Sequence, residues 1–265
     1  MTLFKSSLIA CYTMLIISCQ AVYADSLSEL KATLTALNGA DTITAVLSAS
    51  FKKVIVDGND KKIKFGALQT ELIASPSGLT VSYNSETLRK LREEGKQKRE
   101  NEEAATPTLM AAREVKTDSL TSILSSADIL LAKIEQGELI NEERIDYNGG
   151  SVRSLTFSLP LQFFIENKKV RGYVDEFESS YQVLINDQGI PFETRMNFSG
   201  EGTAYVIFSL ETVTHKVTRY KVFGDRLVRI SKESKSINNS TFNDRTFESS
   251  WQVEVTSQVK NKINI

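Results

Sequence analysis

The chain carries one histidine, His215, in the run Thr214-His215-Lys216-Val217-Thr218, and two cysteines, Cys11 and Cys19. An imidazole acts as base or metal ligand only when other groups are placed beside it. No second histidine or cysteine pair in the body of the chain stands ready to do so, so zinc-type ligation and cysteine nucleophiles are not expected, and His215 reads as a surface residue at a strand end. Ser50-Phe51-Lys52-Lys53 matches the serine–lysine pattern S-x-x-K. That chemistry needs both groups one turn apart on a helix, whereas the alternation around Ser50 predicts a strand, which sends i and i+3 to opposite faces. Gly200-Glu201-Gly202 lacks a third glycine and a following helix, and reads as a hairpin turn rather than a dinucleotide loop. Asp57-Gly58-Asn59-Asp60 has the look of a calcium loop, but Leu68 stands where the bidentate glutamate belongs. Adjacent carboxylates such as Glu142 and Glu143 face opposite ways on a strand. The expectation is a protein without catalytic centre, metal or cofactor.

What the sequence offers instead is apolar surface. Phe177, Tyr181, Val183 and Ile185 share one strand face, as do Ile190, Phe192, Met196 and Phe198, and Phe247, Trp251, Val253 and Val255. These residues read either as ordinary core contacts between sheet and helices or as the lining of a curved sheet left partly open to an acyl chain, with water release as the driving force. On the second reading the candidate ligand-binding residues are Phe177, Tyr181, Phe192, Met196, Phe198 and Trp251.

The elements that must position them follow from periodicity. Ser26 caps a helix with Glu29 as reciprocal partner, and Leu27, Leu30, Leu34 and Leu37 line its buried stripe. Alternation over 43–51, a turn at Asp57–Asp60, and strands over 62–74 and 79–83 follow. From Ser85 the character changes: eleven charges of mixed sign fall between Arg89 and Glu103, which predicts a solvated helix or excursion. A second helix is expected after Pro107. A third is expected from Asp118, with Leu120, Ile123, Leu124, Ala127, Leu130, Leu131 and Ile134 at the 3.6 period and Gly137 as its stop. Downstream the chain reads as antiparallel strands at 139–147, 151–159, 168–174, 176–185, 190–198, 203–214, 216–222, 226–231 and 246–255, with a polar loop over 232–244. The predicted fold class is α+β: a large curved antiparallel sheet, an open half-barrel, with an N-terminal helix and a helical insertion at 85–136 packed on it.

The first 24 residues have one cation, Lys5, an apolar run from Leu8 to Ile17, and small residues before Ala24. This is the layout of a secretory signal, cut between Ala24 and Asp25, and too short to span a bilayer, which needs about 20 residues. Ile16-Ile17-Ser18-Cys19 offers a second cut, leaving Cys19 lipidated and the protein tethered to a membrane leaflet. Residues 25–265 are then one β-rich domain, periplasmic or secreted, that relies on an apolar core rather than disulfides. With 32 basic against 33 acidic residues, nothing points to nucleic acid, and no further apolar run is long enough to cross a membrane.

The opening SLSELKATLTALNGADTITAVLSASF, residues 26–51, resembles the start of the periplasmic lipoprotein-carrier (LolA/LolB-like) half-barrel superfamily, in which an amphipathic helix leads into a first strand ending near a phenylalanine. The resemblance extends to the general order of elements. It implies an open half-barrel closed by helices and the carriage of acyl groups across the periplasm, and it transfers no site residue. The expected function is an exported envelope protein that binds a lipid, acyl group or lipidated protein without catalysis. The alternative is an interaction or structural module that docks an envelope partner through the charged insertion.

Overall fold

The computed structural model describes residues 26–115, 120–165, 167–204 and 208–260. The leader, with Cys19, the Ala24–Asp25 cut and the expected cap Asp118, lies outside them. Ten strands form one antiparallel sheet: β1 Thr42–Asp57, β2 Asp60–Ser75, β3 Gly78–Ser82, β4 Glu138–Tyr147, β5 Gly150–Ser158, β6 Val174–Ile185, β7 Pro191–Ala204, β8 Phe208–Phe223, β9 Arg226–Ser240 and β10 Asp244–Val259. Their order is β3-β2-β1-β10-β9-β8-β7-β6-β5-β4, and the sheet does not close. Every neighbouring pair is consecutive in sequence except β1 with β10, which pair from Val56↔Asp244 to Thr42↔Val259 with one register step between Thr44 and Ala45. The open, curved α+β architecture expected from the pattern is the one observed.

The helices are α1 (residues 26–36), α2 Ser85–Glu100, α3 Pro107–Glu114, α4 Ala127–Glu135 and the short α5 Lys168–Arg171. Strands β3 and β4 are consecutive in sequence yet lie at opposite edges, so the insertion carries the chain from one edge of the sheet to the other. On the way it buries its apolar side chains. Leu30 and Leu34 of α1 meet Leu130 and Ile134 of α4 over Leu155, Phe157, Val183 and Met196. Leu120, Ile123 and Leu124 cover Ile43, Ala45, Leu47 and Leu72. Ala111 of α3 sits on Phe51 and Leu68. The charged α2 is ordered by polar means: Asn84 Oδ1 accepts from Thr87 N at 2.8 Å, and the buried Glu94 carboxylate accepts from Thr108 N at 3.1 Å and Leu109 N at 2.7 Å, capping α3.

Three expectations are corrected. The helix over 118–136 is interrupted: residues 122–126 are not helical. Their backbone bonds instead to the edge of β9, with Arg229 N donating to Ile123 O at 2.8 Å and Ser126 N to Leu227 O at 2.8 Å. This edge is free because β10 leaves β9 after the pair Gln252↔Ser231 and continues along β1. The vacated groups must find partners, and the insertion supplies them; Leu37 O also accepts from Leu227 N at 3.2 Å. The 3.6 periodicity was real, but it served two clusters: Leu120, Ile123 and Leu124 in one, Ala127, Leu130 and Ile134 in the other. Second, 168–174 is not a strand. A 3₁₀ turn at Leu161–Phe163 and α5 precede β6, and Asn167 Oδ1 caps α5 by accepting from Lys169 N and Val170 N. Third, the strands are longer than the apolar alternation suggests. Strand β7 runs through Gly200 and Gly202, β8 runs through His215, and β9–β10 take up the polar segment expected to be a loop. In those stretches both faces carry Ser, Thr, Asn or Gly, so the period of two has no hydrophobic signal.

Candidate ligand-binding face

The pairing Tyr181↔Met196↔Lys216↔Ser234↔Ser249↔Phe51 puts these residues on one face of the sheet, the face that the helices cover. One row further out lie Phe198↔Thr214↔Ser236↔Phe247, then Gly200↔Thr212↔Asn238. These outer rows extend past the helices, and a cleft of about 460 Å³ opens there. Its floor is Phe198, Gly200, Gly202, Thr212, Thr214, Ser236 and Asn238; its walls are Phe164, Val170, Tyr173, Leu210 and Phe242. Phe164 stacks on Phe198 with centroids 5.1 Å apart. Phe242 is 62% exposed, Phe177 45% and Leu210 39%, so the rim shows apolar surface to water.

The two glycines are what keep the wall and floor in this arrangement. A Cβ at Gly202 would collide with the Tyr173 carbonyl, and one at Gly200 would lie 2.8 Å from the Phe198 ring. Their absent side chains let the Tyr173 backbone approach the strand and leave the floor clear.

The structure divides the sequence-derived candidates. Phe198 lines the cleft, and Phe177 stands beside it at 6.2 Å between ring centroids. Tyr181, Met196 and Trp251 line a second, smaller cavity under α4. Phe192 joins neither; it packs edge-on against Tyr147, centroids 5.1 Å apart, at the foot of β7 where Tyr147 Oη also donates to the buried Glu193 at 2.9 Å. That phenol's pKa is raised by burial and by the Glu193 carboxylate. Glu193 is held in turn by Arg195 at 2.7 Å and Arg219 at 3.0 Å, a network on the opposite face from Met196. His215 is exposed, its Nδ1 2.6 Å from Asn197 Oδ1.

The cavity under α4 has a volume of about 180 Å³ and contains residues that the sequence reading passed over. Lys133 of α4, Lys216 of β8 and both Arg229 and Lys232 of β9 line it. On a regular strand residues 229 and 232 would face opposite ways. A bulge changes this: the register steps from Arg219↔Ser231 to Tyr220↔Arg229, leaving Ile230 as the extra residue and turning Arg229 inward. Only register knowledge could have revealed the group. Lys133 Nζ lies 4.9 Å from the Tyr181 ring centre and 5.8 Å from that of Phe163, close enough for the ring faces to attract it. Among the described residues no group of His, Cys, Asp and Glu could hold a metal ion.

Comparison of this chain with protein-family models, with curated proteins and with solved structures finds no match.

Proposed function

We propose that this protein is a non-catalytic binder of a hydrophobic ligand, a lipid or the acyl group of a lipidated protein, exported to the periplasm or outside the cell. The observation that carries the reading is the cleft over Phe198, Gly200 and Gly202: apolar walls, a floor of small residues and about 460 Å³ of space, within the range of small-molecule sites. Each methylene moved from water into such a cleft contributes about 0.8 kcal/mol, so a chain of about ten carbons offsets the cost of association, which starts near 4 kcal/mol. The polar atoms around the cleft, mostly Ser, Thr and Asn hydroxyls and amides bonded among themselves, as in Thr214 with Ser236 at 3.0 Å, ask nothing of an apolar chain. The leader at 1–24 and the resemblance of residues 26–51 to lipoprotein carriers point the same way.

The test is mass spectrometry of lipids that co-purify with the mature protein, together with titration of a fluorescent fatty acid. We expect one probe bound per chain, and its loss in Gly202→Leu, whose side chain displaces the Tyr173 wall of the cleft. Absence of any co-purifying lipid, together with no probe binding by the wild type, would falsify the reading.

A further inference from the structure

The apolar cleft does not end at Phe242. Leu210, Asn238, Ser240 and Phe242 line it, and the same four residues line a second, open groove of about 510 Å³ beyond. The register shows where that groove leads. The row Phe198↔Thr214↔Ser236↔Phe247 continues to Lys53 of β1, and the row Gly200↔Thr212↔Asn238 continues to Arg245 of β10. Directly opposite residues of paired strands share a face. Both cations therefore stand on the face that forms the cleft floor, and both line the second groove. At about 4.8 Å per strand, Phe198 on β7 and Lys53 on β1 lie about 19 Å apart along their row. The far end of this path is basic. Lys64 faces Lys53 across β1 and β2, and like charges so placed repel each other. Arg245 Nε donates to Asn243 Oδ1 at 2.7 Å, which holds the guanidinium beside the groove. The carboxylates at this end of the hairpin, Asp57 and Asp60, pair at its tip, two inward positions beyond Lys53. Asp244 and Glu248 of β10 take the opposite face from Arg245 and Phe247.

We propose that the ligand of the cleft is an anionic amphiphile, its chain laid across the strands over Phe198 and its carboxylate or phosphate head held between Lys53 and Arg245. Water release along the apolar stretch supplies the affinity. The ammonium and the guanidinium select the sign of the head and fix the direction in which the chain lies, because both donate charge-assisted hydrogen bonds to an oxyanion. A neutral head gains only ordinary hydrogen bonds there. An anion beside Lys53 also relieves its repulsion with Lys64. This inference rests on the cleft reading above and adds to it the charge and the orientation of the ligand.

The experiment uses the mature protein and four probes of one chain length, each below its micelle concentration: dodecanoate, dodecyl phosphate, dodecanol and dodecyltrimethylammonium. Binding is read by calorimetry at low and at high salt. Charge-assisted hydrogen bonds predict that the two anions bind about ten- to thirty-fold tighter than dodecanol, that the ammonium binds weakest, and that salt narrows the gap. Lys53→Gln with Arg245→Gln should remove the preference and leave the affinity for dodecanol as it was, which also reports that the variant is folded. Lys53→Glu is a second variant and should turn the preference toward the ammonium. Lys61→Gln, on the other face of the same hairpin, removes the same charge and should leave the preference intact. Equal affinity for dodecanol and the anions overturns the head site and leaves the cleft standing. A preference that survives the double substitution, or that falls equally in Lys61→Gln, overturns it too. No binding of any of the four probes sinks the cleft reading itself, and this inference with it.

Discussion

The two ends of one sheet face behave differently although the same strands build both. Under α1 and α4 the inward positions are Leu155, Phe157, Val183 and Met196, and they are closed off from water. A few residues along, the inward positions of β7, β8 and β9 become Gly200, Gly202, Thr212, Thr214, Ser236 and Asn238, walled by Val170 of the short α5 and by no residue of α1 or α4 among the described ones. Large side chains fill the first region and give the molecule its stability; small ones leave the second vacant. Between them sits the small cavity under α4, lined by Lys133, Lys216, Arg229 and Lys232. The contrast teaches that vacancy in this fold is made by side-chain size along a continuous strand, not by an interruption of the sheet.

The contrast can be broken hardest at Phe157, which is fully buried. Phe157→Ala should cost about 3–5 kcal/mol, read as a lowered urea midpoint, whereas an equal truncation at the rim should not. Next comes pH. The lysines at 133 and 232 have folded values near 8 against an ordinary 10.5, so the unfolded chain binds more protons between these values. The penalty is fully present below pH 8 and is relieved as pH rises toward 10. Stability of the ligand-free protein should therefore gain about 1–3 kcal/mol across that window, with the gain missing from the doubly substituted Lys133→Gln, Lys232→Gln protein. Gly202→Val should cost about 1–3 kcal/mol by forcing the Tyr173 backbone away, and should abolish fatty-acid binding. Phe242→Ala, at an exposed rim, should leave the melting temperature within the range of ordinary surface changes, about 0.5 kcal/mol, while weakening the probe several-fold. Smallest is Glu93→Ala on α2: its pair with Arg89 at 2.9 Å is exposed on both sides, and about 0.3–0.5 kcal/mol is expected.

Legibility in the sequence followed the same divide. Where one face is apolar, as in Ile43–Phe51 or Tyr181–Ile185, alternation located the strand and its inward residues. Where both faces are polar, as in Lys232–Ser240, the same backbone read as a loop, because hydroxyls and amides carry no period. Gly200 and Gly202 read as a turn since a missing side chain looks alike whether it serves a bend or a close approach. The break at 122–126 was invisible because its cause, the unpaired edge of β9, lies a hundred residues away in the chain. The four cations were scattered over 133–232 and met only through register and one bulge.

The junction of β1 with β10 has a consequence for how the molecule is made. These two strands occupy the middle of the ten, yet one emerges early from the ribosome and the other late. Until β10 arrives, β1–β3 and β4–β9 are two half-sheets with a raw edge each. A polypeptide of this topology keeps its sheet in two pieces until its last strand has been made.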